Sequence, residues 1–196
     1  MEEITEILKG TLLDYSNLVR HSDDMYKIER MQHRLQWLKE NSCGRIIEVG
    51  CATGYVLNYV NGHVGIDTDR ERLKVAKTRC PNLEFYLCDA QKIDFPDKFF
   101  DTVLLPEILE HMPFDKSIKV FEEAVRLGNC VIFTVPKAGG EEDRNKNPEH
   151  FWLATDYEVK QLMKERKITA KFESDDFFFI KINSSIHKNF VYGEQN

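Results

Sequence analysis

From residue 44 onward the sequence alternates short apolar runs with segments of helical period, and this alternation leaves few folds open. The strand-like runs are 45–49 (RIIEV), 63–66 (HVGI), 84–88 (EFYLC), 101–105 (DTVLL) and 130–135 (CVIFTV). The spacing between and after them predicts helices over 54–60, 69–79, 115–127 and 156–167. The last of these opens on a capping box, Thr155-x-x-Glu158. Strands separated by helices build βαβ units and hence a parallel sheet. After residue 167 the alternation stops. Two further strand-like runs, 168–174 and 177–183, have only Asp175-Asp176 between them, which predicts an antiparallel hairpin.

Two amphipathic stretches precede the alternation. Ile4, Ile7, Leu8, Leu12 and Tyr15 keep a helical period, as do Ile28, Met31, Leu35 and Leu38, with His21-Ser22-Asp23-Asp24 as the break. The expected organisation is a helical cap over 1–43 and a main domain over 44–196, with a polar tail of a dozen residues. A chain of 196 residues buries enough surface to fold without a disulfide or metal staple. Its five cysteines form no CxxC, which excludes the common zinc-ribbon and thioredoxin patterns and fits a reducing compartment. The start, MEEITEILKG, lacks the basic and apolar regions of a signal peptide, and no run is long enough to span a membrane. A cytoplasmic location and no membrane partner are expected. The net charge of −6 argues against a general coat for nucleic acid.

The turn after the first strand reads IIEVGCATG over 46–54. A dinucleotide fingerprint would need glycine at 50, 52 and 55, and the chain has Gly50, Ala52 and Tyr55. The register instead fits acidic-x-G-x-G-x-G, with Glu48, Gly50, Ala52 and Gly54. In this the chain resembles the class I methyltransferases dependent on S-adenosylmethionine, with Ala52 in place of the middle glycine. Two more strand ends carry acids: Val64-Gly65-Ile66-Asp67 and Leu87-Cys88-Asp89-Ala90. A carboxylate at Asp67 can take both hydroxyls of a ribose, while Asp69 is better placed to cap the next helix. The resemblance implies that Asp89 takes the adenine amino group and the Ala90 backbone the ring. The run Ile93–Leu104 also looks like the family's approach to its fourth strand. The fold implied is a Rossmann-like α/β domain with a seven-stranded, mostly parallel sheet. Glu48, Gly50, Ala52, Gly54, Asp67, Asp89 and Ala90 would hold the cofactor.

After the strand at 101–105 comes Pro106-Glu107-Ile108-Leu109-Glu110-His111-Met112-Pro113. If 107–111 were a helical turn, Glu107, Glu110 and His111 would share about 100° of arc. Such a set suits a divalent ion such as Mg²⁺ or Mn²⁺, with His150 from the long loop 136–154 as a fourth ligand. This E-x-x-E-H with a distant histidine resembles the small-RNA 2′-O-methyltransferases and the ubiquinone-pathway O-methyltransferases. The other reading is a metal-free pocket in which Glu107 and His111 are the catalytic pair and His111 is the general base. O-methylation of a small molecule is expected, ahead of RNA methylation or cofactor binding without turnover. Phe177-Phe178-Phe179 is expected to be sheet core, the basic face of 69–79 to be solvated, and Tyr15, Tyr26 and Arg30 are candidates to cover the cofactor.

Overall fold

The computed structural model describes residues 1–3, 29–140, 147–164 and 166–186. The first leading helix with Tyr15, the break at His21–Asp24, Tyr26, and the polar tail lie outside the described residues, as does the side chain of Arg30. The strands are β1 (Glu2–Glu3), β2 (Ile46–Val49), β3 (Val64–Asp67), β4 (Glu84–Leu87), β5 (Phe100–Pro106), β6 (Gly128–Pro136), β7 (Arg166–Glu173) and β8 (Phe177–Ile186). The helices are α1 (Glu29–Asn41), α2 (Tyr55–Tyr59), α3 (Arg70–Arg79), α4 (Phe114–Leu127) and α5 (Asp156–Met163), with a 3-10 turn at Leu109–His111. One sheet runs in the order β1-β4-β3-β2-β5-β6-β8-β7. Strands β2 to β6 are parallel, and β8 pairs antiparallel with both β6 and β7. The seven expected strands are therefore present with the expected hairpin. The two-residue β1 adds antiparallel to β4 at the edge.

Side chains alternate across the central strands, as a pleated strand requires. Ile46, Leu104 and Ile132 face α1 and α2, packing with Leu35, Leu38, Val56 and Val60. Ile47, Val49, Val103, Leu105, Val131 and Phe133 face the other way, among Val120, Phe121 and Ala124 of α4. Helix α4 buries Ser117, Val120, Phe121, Ala124 and Val125, a stripe at helical spacing. Phe177, Phe178 and Phe179 are buried core residues of β8, as expected.

Two local expectations differ from the structure. The helix expected over 156–167 stops at Met163, because Lys164 takes a left-handed φ of 53°. The buried Arg166 then opens β7, its guanidinium held 2.7 Å from Glu122. The turn at 107–111 is not α-helical. Glu107 sits at φ 51° and the 3-10 turn begins only at Leu109, so the three predicted side chains do not share one helical arc.

The chain runs outward from β2 through β3 to β4, then crosses back to β5 on the other side of β2. That reversal leaves a crevice at the carboxyl ends of β2 and β5, the place where open α/β sheets bind ligands.

Candidate active site

The loop after β2 is built from left-handed residues at every second position: Gly50 (φ 74°), Ala52 (φ 46°) and Gly54 (φ 73°). This is the physical reason for the glycine spacing, since residues with a Cβ resist that conformation. The Gly50 and Cys51 N–H groups donate to the Ile66 carbonyl at 2.8 and 2.9 Å, tying the loop to β3. A Cβ on Gly50 would lie 2.5 Å from Ile108 Cδ1, so the loop passes directly against the turn after β5.

The half-buried Asp67 braces the same loop. It accepts from the Ala52 N–H and the Asp69 N–H, both at 2.8 Å. Each carboxylate oxygen retains a second lone pair for a ligand hydroxyl. Asp69 caps α3, accepting from the Glu71 and Arg72 N–H groups. Asp89 is exposed and accepts from the Gln91 N–H at 2.9 Å, with the half-buried Ala90 between them. Asp89 and Gln91 border a cavity of about 790 Å³ that Leu87, Cys88, Ile93 and Phe95 also line.

Glu48 is placed differently from the rest of the expected cofactor set. It is 2% exposed on the α1–α2 face of β2, beneath the loop rather than on the open edge. Burial pushes its carboxyl well above the usual range, against the Leu57 backbone N–H, which favours the charged form. It anchors the loop to α2 and does not line the crevice.

Beyond Ile108 the structure brings together Glu110, His111 and His150, whose ligand atoms lie within 4.8 Å of one another. The His111 and His150 rings meet edge-on, with centroids 4.9 Å apart. The partner of His111 Nδ1 is the Glu149 carbonyl at 3.2 Å. A carbonyl only accepts, so Nδ1 carries the proton and Nε2 offers a lone pair. Asn147 Nδ2 lies 3.1 Å from His150 Nε2. Glu107 is not part of this cluster. It forms a buried ion pair with Arg34 of α1 instead, a consequence of its left-handed backbone.

The long loop is fastened here. Trp152 Nε1 lies 3.0 to 3.1 Å from the Leu109 carbonyl, the Met112 carbonyl and Ser117 Oγ, and the Phe151 N–H donates to the Glu110 carbonyl. The Lys137–Ala154 bridge closes its base. Sequence reasoning missed Arg34, Asn147 and Trp152. For Arg34 a signal existed, because it lies four residues from Leu38 and three from Met31, on the apolar stripe of α1.

Among the described residues, no helix is long and apolar enough to cross a membrane. Residues 47–129 match the family described as the methyltransferase domain. The chain is 29% identical over 113 residues to the phthiotriol/phenolphthiotriol dimycocerosates methyltransferase 1 of Mycobacterium ulcerans, covering 53% of this chain and 42% of that one. It is 31% identical over 99 residues to a fatty-acid O-methyltransferase of Mycolicibacterium smegmatis, covering 46% and 36%. The chain spans about half the length, or less, of most of the curated relatives it matches. In fold it resembles the N-methyltransferase NodS of Bradyrhizobium japonicum, solved with S-adenosylhomocysteine. The TM-score is 0.63 at 14% identity, covering 78% of this chain and 86% of that one. Residues 47–129 thus match the methyltransferase domain family, and the fold is that of solved S-adenosylmethionine-dependent methyltransferases.

Proposed function

We propose that the protein transfers the methyl group of S-adenosylmethionine to an oxygen of a small-molecule acceptor. One observation supports the reading most: the glycine loop after β2 packs against Ile108, in the same turn that carries Glu110 and His111 of the Glu110–His111–His150 cluster. Asp67 keeps lone pairs for a diol. Bound S-adenosylmethionine supplies an electrophilic methyl carbon on a sulfonium sulfur and leaves as S-adenosylhomocysteine. The protein positions the acceptor in line with that carbon and excludes water. His111, protonated at Nδ1, takes the acceptor's proton at Nε2 as the oxygen attacks. The relative named as a fatty-acid O-methyltransferase supports oxygen as the acceptor atom.

The cluster also fits a divalent ion held by Glu110, His111 and His150, without Glu107. One carboxylate and two imidazoles suit Mn²⁺, Fe²⁺ or Zn²⁺ better than Mg²⁺, which prefers oxygen. Such an ion would fix the acceptor and lower the pKa of its hydroxyl. The net charge of −6 and the five free thiols favour a small acceptor over RNA and a reducing, cytoplasmic setting.

Incubation with methyl-labelled S-adenosylmethionine and a panel of hydroxyl, carboxyl and amine acceptors tests this. Label should pass to an oxygen, and His111→Ala should reduce the rate by about 100-fold or more. Transfer only to amines overturns the oxygen assignment, and transfer only to RNA overturns the small acceptor. Activity unchanged by EDTA and by His150→Ala rejects the metal.

A further inference from the structure

The amino-terminal edge of the parallel strands, at the other end of the sheet from the crevice, holds a cavity of about 410 Å³. Cys43 and Cys130 both line it, together with Asn41, Asp101, Asn129 and Lys181. Cys43 is exposed in the link between α1 and β2, and Cys130 is half-buried near the start of β6. Both are free thiols. The link is pinned on either side of Cys43: the Asn41 carbonyl accepts from Lys181 Nζ of β8 at 2.7 Å, and the Arg45 N–H donates to Asp101 at 2.8 Å.

Thr102 joins the two cysteines. It is fully buried near the start of β5 and pairs in parallel register with Cys130. Side chains in register on neighbouring strands point to one face, with the strands about 4.8 Å apart. Thr102 Oγ1 lies 3.5 Å from Cys130 Sγ. The same hydroxyl accepts from the Cys43 N–H at 3.2 Å and donates to the Cys43 carbonyl at 2.8 Å. One oxygen thus holds the backbone of one cysteine and the thiol of the other. Burial pushes the Cys130 thiol up, against the Thr102 hydroxyl and the Lys181 charge, and Cys43 is near enough to raise it further. Cys43, open to solvent, is therefore the sulfur that an oxidant meets first.

We propose that Cys43 and Cys130 form a modification site for a peroxide, which closes a reversible disulfide between the link after α1 and β6. The Cys43 thiolate takes one oxygen of the peroxide. The O–O bond breaks, and the other oxygen leaves as water with the proton the thiol gave up, so Cys43 becomes a sulfenic acid. The Cys130 sulfur then attacks that sulfur, the S–O bond breaks, and a second water leaves with the Cys130 proton. The two thiols together lose two protons and two electrons, and the peroxide is reduced to two waters. A dithiol reductant reverses the step, so in a reducing compartment the bond is transient. The disulfide staples the end of α1 to the sheet, and α1 carries Arg34, the partner of Glu107 in the turn after β5. The site is remote from the crevice and does not rest on the cofactor reading.

Treatment of the reduced full chain with a small excess of hydrogen peroxide, then alkylation and peptide mapping without reduction, reads the site directly. Titratable thiols should fall from five to three. One cross-linked peptide pair, Cys43 to Cys130, should appear and be released by dithiothreitol. The oxidised protein should unfold at higher urea than the reduced one, because the cross-link restricts the unfolded chain. Cys43→Ser should unfold at the same urea with and without peroxide. Thiols that stay at five, a disulfide between any other pair, a dimer joined through Cys43, or Cys43 oxidised alone to its sulfinic acid each overturns the proposal. A Cys43–Cys130 link that lowers the urea midpoint overturns it too, since such a bond forms in an opened chain and not in the native one. Should Cys43→Ser fail to fold, the peptide map and the urea curves of the unaltered protein decide alone.

Discussion

At the residue scale the loop after β2 is a place where backbone geometry dictates side chains. Ala52 holds a left-handed φ of 46° that glycine adopts without penalty. Ala52→Gly should therefore raise stability by about 0.5–1 kcal/mol, less what glycine adds to unfolded-chain entropy; a chemical denaturation curve checks it. Gly50→Ala should do the opposite, since its Cβ would meet Ile108 at 2.5 Å. Glu48 makes a pH prediction. Its folded-state pKa lies above its unfolded value near 4.5, so the folded protein binds the extra proton and loses stability as pH rises past that value. Glu48→Gln should unfold at higher urea than the unaltered protein at pH 8 and at the same urea at pH 4. The glycine register, Asp67 and the cap at Asp69 were legible because each is a local backbone requirement. Glu107 was not. Its place in the site was inferred from a helical arc, and a single left-handed φ, invisible in a glutamate, turns it toward Arg34.

At the scale of elements, the site depends on two short segments held in register. Trp152 fastens the long loop to the 3-10 turn through its indole N–H, which has three oxygens within 3.1 Å. Trp152→Phe should cost about 1–3 kcal/mol. It should reduce methyl transfer more than affinity for S-adenosylhomocysteine, because it frees His150 and leaves the cofactor loop intact; comparing kcat with the titrated Kd checks this. On the same face of the sheet, α4 also holds the segment after β4. Glu123 accepts from the Ile93 N–H at 2.8 Å and pairs with Arg126, which reaches the carbonyls of Ile93 and Phe95. The Arg126 hydrogen bonds hold the Glu123 carboxyl below its usual range. That stability is present above the unfolded pKa and is lost as pH falls through the folded one. Urea melts of Glu123→Gln and the unaltered protein should accordingly differ at pH 7 and converge as the pH falls through that lowered folded-state pKa. Strand and helix identities were readable from periodicity. Their ends were not, because the stop at Met163 is set by Arg166 reaching Glu122 on a distant helix.

At the scale of the whole molecule, one sheet gathers the loop, the strand-end acids and the histidines on its carboxyl edge, and α1 brings a buried cation to the same place. The order of elements announced the sheet, but the contact between α1 and the turn after β5 is a tertiary meeting of residues 34 and 107. No local pattern encodes it. A ligand that binds only the folded edge stabilises the fold by mass action, so S-adenosylhomocysteine at about 100 times its Kd should add roughly 2.7 kcal/mol. The most direct test of the account is titration calorimetry with S-adenosylhomocysteine on the unaltered chain and on Gly50→Ala. One site per chain, lost in Gly50→Ala while that variant stays folded, is the predicted result. Absence of binding to the unaltered chain, or a site that Gly50→Ala leaves untouched, would contradict it.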